Sequence, residues 1–385
     1  MMTLRRRWLI VCLSIPLFIL VTLFGWLWLQ QKEPTLDGKP LSNHLLKLHD
    51  SHADVRASAL EYVQAHQKVF GPYCLRLVSN QNTTMQAWMH RFQQKVAPTR
   101  LGQKLGVRNP MYQLKVRAMA ALALGVVDLP AAEKISALKV GLYDADRQTR
   151  MESVKSLAAL GAPSLEVLEA SMTDVSIGVR NAGLYGMYLL GPEARPALGS
   201  LKDLLINEDL NLDPLSFEIF WRIGPEAADT LGSALNTTNA VAKYRLLKAM
   251  VPLRRLIYPY RDQFIEGLKH TAPKVRSESA RALISAGRVD AKVAALLFPL
   301  LRDDAVEVRL TAVQLLNQRV PFAEPAMPEL LLLLEDEEKE IRRIAGFMLE
   351  RMILKTSASR QALESALNSE NIYVREVAGK ALANQ

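Results

Sequence analysis

The chain has 385 residues, with 48 lysines and arginines against 39 acidic residues, a net charge of +9, two cysteines and six histidines. One cysteine lies inside an apolar run, so no intramolecular disulfide framework can form. The histidines form no His-Glu pairs, which excludes the common His-based metal motifs.

In chain order, a basic tip and membrane anchor are read over residues 1–30. Met1 to Arg7 is short and basic, and Trp8 to Leu29 is free of charge. At about 1.5 Å per residue that run reaches roughly 33 Å as a helix, enough to cross a hydrocarbon core. Trp8, Trp26 and Trp28 stand where interfacial aromatics belong, and Arg5, Arg6 and Arg7 place the N-terminus in the cytoplasm, with the bulk of the chain exported across the inner (plasma) membrane. A cleaved signal peptide is the alternative, but Gly25-Trp26-Leu27-Trp28-Leu29 offers no run of small residues for cleavage. Residues 31–40, with Pro34, Gly38 and Pro40, read as a linker.

From residue 41 to 385 the sequence repeats. Arg276, Arg309, Arg342 and Arg375 recur every 33 residues, each preceded by Val or Ile and followed by small and large apolar residues at helical spacing. Arg245, Arg180, Arg150, Arg117 and Arg56 stand in equivalent contexts, and Asp213 marks a degenerate copy, for about ten repeats in all. Such a period signals stacked helical hairpins, an all-α solenoid, in place of one globular core. An aspartate stands six residues before the arginine at Asp50/Arg56, Asp144/Arg150, Asp174/Arg180, Asp303/Arg309 and Asp336/Arg342. We read these pairs as a structural ladder in which the carboxylate accepts turn NH groups and the arginine reaches back to it. Gly161-Ala162-Pro163, Gly191-Pro192 and Gly224-Pro225 mark helix ends.

An insertion at about 80–108 departs from this pattern. Between Glu61 and Asp128 there is no acid, while nine lysines and arginines carry a charge equal to the whole net charge. Met85, Trp88, Met89, Phe92 and Val96 share one helical face, with Arg91 and Lys95 displaced from it. The stripe fits a cap on the first repeats, a surface for anionic headgroups, or a dock for an acidic protein or polymer; the contact residues would be Trp88, Arg91, Phe92, Lys95, Arg100, Lys104 and Arg108. A second basic run, Lys243, Arg245, Lys248, Arg254, Arg255 and Arg261, is interleaved with Tyr244, Tyr258 and Tyr260. Single-stranded nucleic-acid binders carry such patterns, as do solvated helix faces; the export-type anchor disfavours nucleic acid.

The hairpin with aspartate in its turn, then Val-Arg, then helical apolar spacing, resembles the HEAT repeat in its lyase HEAT-like bacterial form, over about 41–66 and 110–385. The layout is similar to membrane-anchored bacterial proteins of that repeat class. The resemblance implies a protein-binding scaffold; a minority of its families are enzymes, among them phycobilin lyases, deoxyhypusine hydroxylase and certain DNA glycosylases. No catalytic, cofactor or metal motif is read in this chain, and neither a Walker loop nor Gly-x-Ser-x-Gly occurs. The expectation is therefore a membrane-anchored, exported interaction scaffold with protein partners and no activity of its own. The alternatives are a HEAT-like enzyme or lyase accessory and, with inverted topology, a cytoplasm-facing adaptor or nucleic-acid binder.

Overall fold

The computed structural model describes residues 33–79, 110–207, 214–287 and 289–385. The expected anchor at 8–29, the basic insertion at 80–108 and Asp213 lie outside them. Among the described residues no helix is long and apolar enough to cross a membrane. The chain divides into two compact units, Met1–Leu189 and Leu190–Gln385.

Unit 1 opens with a hairpin of β1 (Thr35–Leu36) and β2 (Lys39–Pro40) inside the stretch read as a linker. Its turn is Asp37-Gly38, both at positive φ, the residue pair that tight hairpins favour. The hairpin is tied to the first repeat: Tyr62 donates to the Asp37 carboxylate, and Glu33 accepts from the Ser42 NH at 2.7 Å and from the Tyr73 hydroxyl at 2.6 Å. Then come α1 (Leu41–Leu46), α2 (Ala53–Ala65), α3 (Gln67–Ser79), α4 (Pro110–Leu124), α5 (Ala131–Leu142), α6 (Arg147–Ala159), α7 (Leu165–Ser171) and α8 (Ile177–Leu190), whose last residue falls in unit 2. Helix α4 packs on α3 and α6, and α5 packs on α3 and α6, so each hairpin lies on the one before it.

Unit 2 continues the pattern with α9 (Leu198–Ile206), α10 (Leu215–Ile223), α11 (Glu226–Gly232), α12 (Ala240–Met250), α13 (Arg261–Gly267), α14 (Pro273–Ser285), α15 (Ala291–Ala295), α16 (Val306–Asn317), α17 (Met327–Leu332), α18 (Lys339–Arg351), α19 (Ser357–Ala366) and α20 (Ile372–Ala383). The second helices of successive hairpins form a row, α12 on α14, α14 on α16, α16 on α18 and α18 on α20. The repeated apolar positions build this row. Val275, Ala280 and Leu283 of α14, Val308, Ala312 and Leu315 of α16, and Ile341, Ala345 and Leu349 of α18 are buried, each large side chain contributing about 2 kcal/mol. Small residues set the spacing: a Cβ on Gly267 would fall 2.1 Å from the Ser279 hydroxyl, so α13 and α14 approach at backbone distance.

Helix ends follow local chemistry. Gly161, Gly191 and Gly224, after α6, α8 and α10, take positive φ that only glycine adopts without strain. Asp146, Asn239, Asp290 and Thr356 cap α6, α12, α15 and α19, each accepting from a backbone NH three residues on. Stacked antiparallel hairpins have two edges: one carries the turns within repeats, the other the loops between them.

Candidate functional site

On the turn edge the recurring arginines share one geometry. In Arg56, Arg150, Arg180, Arg276, Arg309, Arg342 and Arg375, Nη1 donates to the carbonyls six and five residues earlier at 2.6–3.1 Å. These carbonyls belong to the turn that ends the previous helix, so each guanidinium closes its own turn. The aspartates at the turn, Asp50, Asp144, Asp174, Asp303 and Asp336, accept from the backbone NH two residues on at 2.7–2.9 Å.

Here the structure differs from the sequence reading. The carboxylate an arginine meets is that of the following repeat: Arg117 pairs with Asp144, Arg276 with Asp303 and Arg309 with Asp336. Arg276 and Arg309 do so through both Nε and Nη2, at 2.6–3.2 Å. The reason is geometric. Nη1 is spent on the turn carbonyls, leaving the Nε/Nη2 edge of the fork facing the neighbouring hairpin, where the planar carboxylate fits it. The Arg309 and Asp336 side chains are 13% and 4% exposed, so the rung is close to dry. The carboxylate hydrogen bonds hold the Arg276 and Arg309 guanidiniums above their ordinary pKa.

Sequence reading missed two stand-ins. At the aspartate position, His270 Nδ1 accepts from the Ala272 NH at 3.0 Å and Ser369 Oγ from the Asn371 NH at 3.2 Å. Burial, with Lys243 and Arg276 nearby, pushes the His270 ring below its ordinary pKa, which keeps it the neutral acceptor this role requires. The signal was the constant six-residue offset from the arginine, not the residue type. At the degenerate repeat, Arg245 reaches back to the Asn207 carbonyl at 2.5 Å, the position six residues before Asp213. It serves a turn whose own repeat has no arginine.

The structure divides the second basic run. Lys248 lies over Phe217, 4.4 Å from the ring centre, and Tyr244 sits between Lys248 and Lys274, each 5.8 Å away, so these cations are packed along the helix row. Arg254 and Arg255 lie beyond the end of α12, in the Val251–Tyr260 segment on the loop edge. That segment is pinned from beneath. Leu253 and Ile257 are buried, Ser285 Oγ donates to the Val251 carbonyl at 2.6 Å, and Tyr260 donates to Asp229 at 2.8 Å. The Tyr260 ring lies so close to α11 that a Cβ on Gly232 would stand 2.1 Å from it. Burial, then the Asp229 bond, raises the Tyr260 hydroxyl pKa.

Above these anchors the chain turns outward. Arg254 has φ 54° and ψ −125°, values of the first central residue of a type II′ turn, where glycine is the ordinary resident. Arg254 and Arg255 are exposed, Leu256 is 46% exposed and Tyr258 58% exposed. Helix α10, which carries Trp221 at 55% exposure, packs on the same segment.

No family model matches the sequence, and no curated protein matches it. Solved structures do. An engineered protein is similar at 14% identity over 89% of this chain and 98% of its own, with a TM-score of 0.40. Importin beta is similar at 12% identity over 89% of this chain and 50% of its own, with a TM-score of 0.45, and Kap95p, solved with RanGDP, at 11% over 89% and 55%, with a TM-score of 0.44. The chain thus spans about half the length of these two proteins.

The insertion residues Trp88, Arg91, Phe92, Lys95, Arg100, Lys104 and Arg108 lie outside the described residues. Beside the first repeat a cleft of about 340 Å³ is lined by His44, Lys47, Asp54, Val55, Ser58, Ala59 and Tyr62. Two of its lining rings stack, His44 on Tyr62 at 4.8 Å, and the His66 ring lies 4.3 Å from that of Tyr62. The bond to Asp37 raises the Tyr62 hydroxyl to about 12. Among the described residues no group of three or more His, Cys, Asp or Glu is placed to hold a metal ion.

Proposed function

We propose that this chain is an interaction scaffold of the HEAT-like kind, without catalytic activity of its own, held at a membrane by residues 8–29 with its repeats on the outer side. One observation carries the binding role. Large apolar side chains stand exposed on each otherwise well-packed unit, among them Val175 at 96% on unit 1, and Ile353 at 76%, Tyr258 at 58% and Trp221 at 55% on unit 2. The turn-edge arginines fix the hairpins on which these groups stand, so they are presented on a rigid frame, and binding then orders few groups. Protein is the partner class that such a surface suits, since aromatic residues and arginine dominate the energetics of protein interfaces.

The membrane part rests on the uncharged run of Trp8 to Leu29 and the arginines before it. In this reading the basic insertion, with Trp88, Arg91, Phe92, Lys95, Arg100, Lys104 and Arg108, lies against anionic headgroups near the anchor. Protease accessibility of a C-terminal tag tests the topology. Digestion in cells whose outer membrane alone is permeabilised is the expected result; protection until lysis would turn the repeats to the cytoplasm and favour the adaptor alternative. Photocrosslinking from positions 258 and 353 tests the scaffold role, which fails if neither position yields an adduct in cells.

A further inference from the structure

Resting on the scaffold reading, we infer that the Val251–Tyr260 edge of unit 2 is a docking site for an acidic peptide segment of a protein partner. Arg254 and Arg255 take carboxylates of that segment, and Leu256 and Tyr258 take an apolar side chain.

From Thr230 to Arg261 the chain holds six lysines and arginines and no acid. The acids that border the edge are engaged or lie aside: Asp229 accepts from Tyr260, Asp290 caps α15 beside Arg261, and Asp262 begins α13. The turn arginines of unit 2 are tied down, Arg276, Arg309, Arg342 and Arg375 to turn carbonyls and Arg245 to Asn207. Arg254 and Arg255 stand exposed beyond that system, side by side on a segment whose underside is anchored at both ends. Two planar forks on a fixed backbone match two carboxylates of an extended segment.

Backbone strain points the same way. A non-glycine residue in the conformation of Arg254 costs on the order of 1–3 kcal/mol, and such residues concentrate at binding sites. Glycine at 254 would relieve the strain and lose the cation. The neighbouring apolar groups decide between classes of anionic partner. Nucleic acid would be read by phosphate contacts and base stacking on flat aromatic faces. Leu256 offers no stacking face, and with Tyr258 two residues on it makes an apolar seat suited to a leucine or phenylalanine flanked by acids.

The test uses the full-length chain in dodecyl maltoside and a fluorescein-labelled peptide of four glutamates around a central Leu-Phe pair, titrated by anisotropy. A charge-matched oligothymidylate and vesicles of phosphatidylglycerol in phosphatidylcholine serve as competitors. The expected result is saturable peptide binding that weakens with salt and falls at least tenfold in Arg254→Gly/Arg255→Ser. In Leu256→Ser/Tyr258→Ser the expected result is a similar loss with the salt dependence kept. Circular dichroism melts of both variants should show no loss of stability against the parent. Peptide affinity unchanged in both variants, or oligothymidylate or vesicles displacing the peptide at lower concentration than unlabelled peptide does, would overturn the proposal. Crosslinks from position 353 but none from 258, with no peptide binding, would sink this docking site and leave the scaffold reading standing. Silence at both positions would sink that reading as well.

Discussion

On the turn edge of unit 2, the Arg276 and Arg309 side chains are 15% and 13% exposed, and each is bonded to turn carbonyls and to a carboxylate of the next hairpin. On the loop edge, Arg254 and Arg255 are exposed, and Arg254 occupies a conformation that costs the fold stability. The same residue type thus closes the stack on one side and stands free of that task on the other. What separates the two is geometry: the turn-edge arginines lie one helical turn past a bent backbone whose carbonyls need donors, whereas Arg254 and Arg255 follow a helix end where Ser285 Oγ already donates to the Val251 carbonyl.

Breaking a rung should have the largest effect. Asp336→Ala removes the acceptor of the Glu338 NH and the bidentate partner of Arg309, and should cost about 2–3 kcal/mol in urea unfolding. Arg309 keeps Glu337 at 3.2 Å, which moderates the loss. Next comes the support beneath the loop edge. Gly232→Ala would drive a methyl into the Tyr260 ring and should cost about 2 kcal/mol, with the Tyr260–Asp229 bond lost from the structure of the variant.

A third variant reaches the junction of the last two repeats. Glu324, 6% exposed, accepts from the backbone NH groups of Lys355 and Thr356 at 2.7 and 2.9 Å, and so ties α19 to the preceding repeat. Burial alone would raise its carboxyl pKa, but these bonds with the Thr356 and Ser359 hydroxyls hold it below the ordinary value. A lowered folded pKa means that the carboxylate's contribution is whole above the ordinary glutamate value of about 4.3 and is lost as pH falls through the folded value. Glu324→Gln should therefore cost about 1–2 kcal/mol at neutral pH. The unfolding curves of variant and parent should converge in acid; a constant gap down to pH 2 would show that charge at Glu324 is irrelevant. The smallest effect has the opposite sign. Arg254→Gly should stabilise the chain by about 0.5–1 kcal/mol, strain relief exceeding the entropy cost of glycine.

Much of the turn edge was legible in the sequence. A 33-residue interval marked Arg276, Arg309, Arg342 and Arg375, and in the structure each donates to the equivalent pair of carbonyls in its own turn. Which carboxylate an arginine meets was not legible. The aspartate six residues behind and the one 27 ahead are both within reach once hairpins stack, and only the orientation of the fork selects the second. The basic run at 243–261 read as one strip because charge order says nothing of where a helix ends. Helix α12 stops at Met250, so Arg245 faces the turn edge while Arg254 and Arg255 fall on the other. Positive φ at an arginine leaves no mark in sequence, since the usual signal is glycine. Glu324 was invisible for a similar reason, its partners lying 31 and 32 residues away.

The contrast between the edges is tested most directly by the urea midpoint of full-length Arg254→Gly/Arg255→Ser against the parent chain. If the loop-edge arginines take no part in holding the stack, the midpoint stays or rises. A loss of more than about 1 kcal/mol, the scale of a made hydrogen bond, would show that they brace the fold as Arg276 and Arg309 do, and the functional reading of that edge would fall with the contrast.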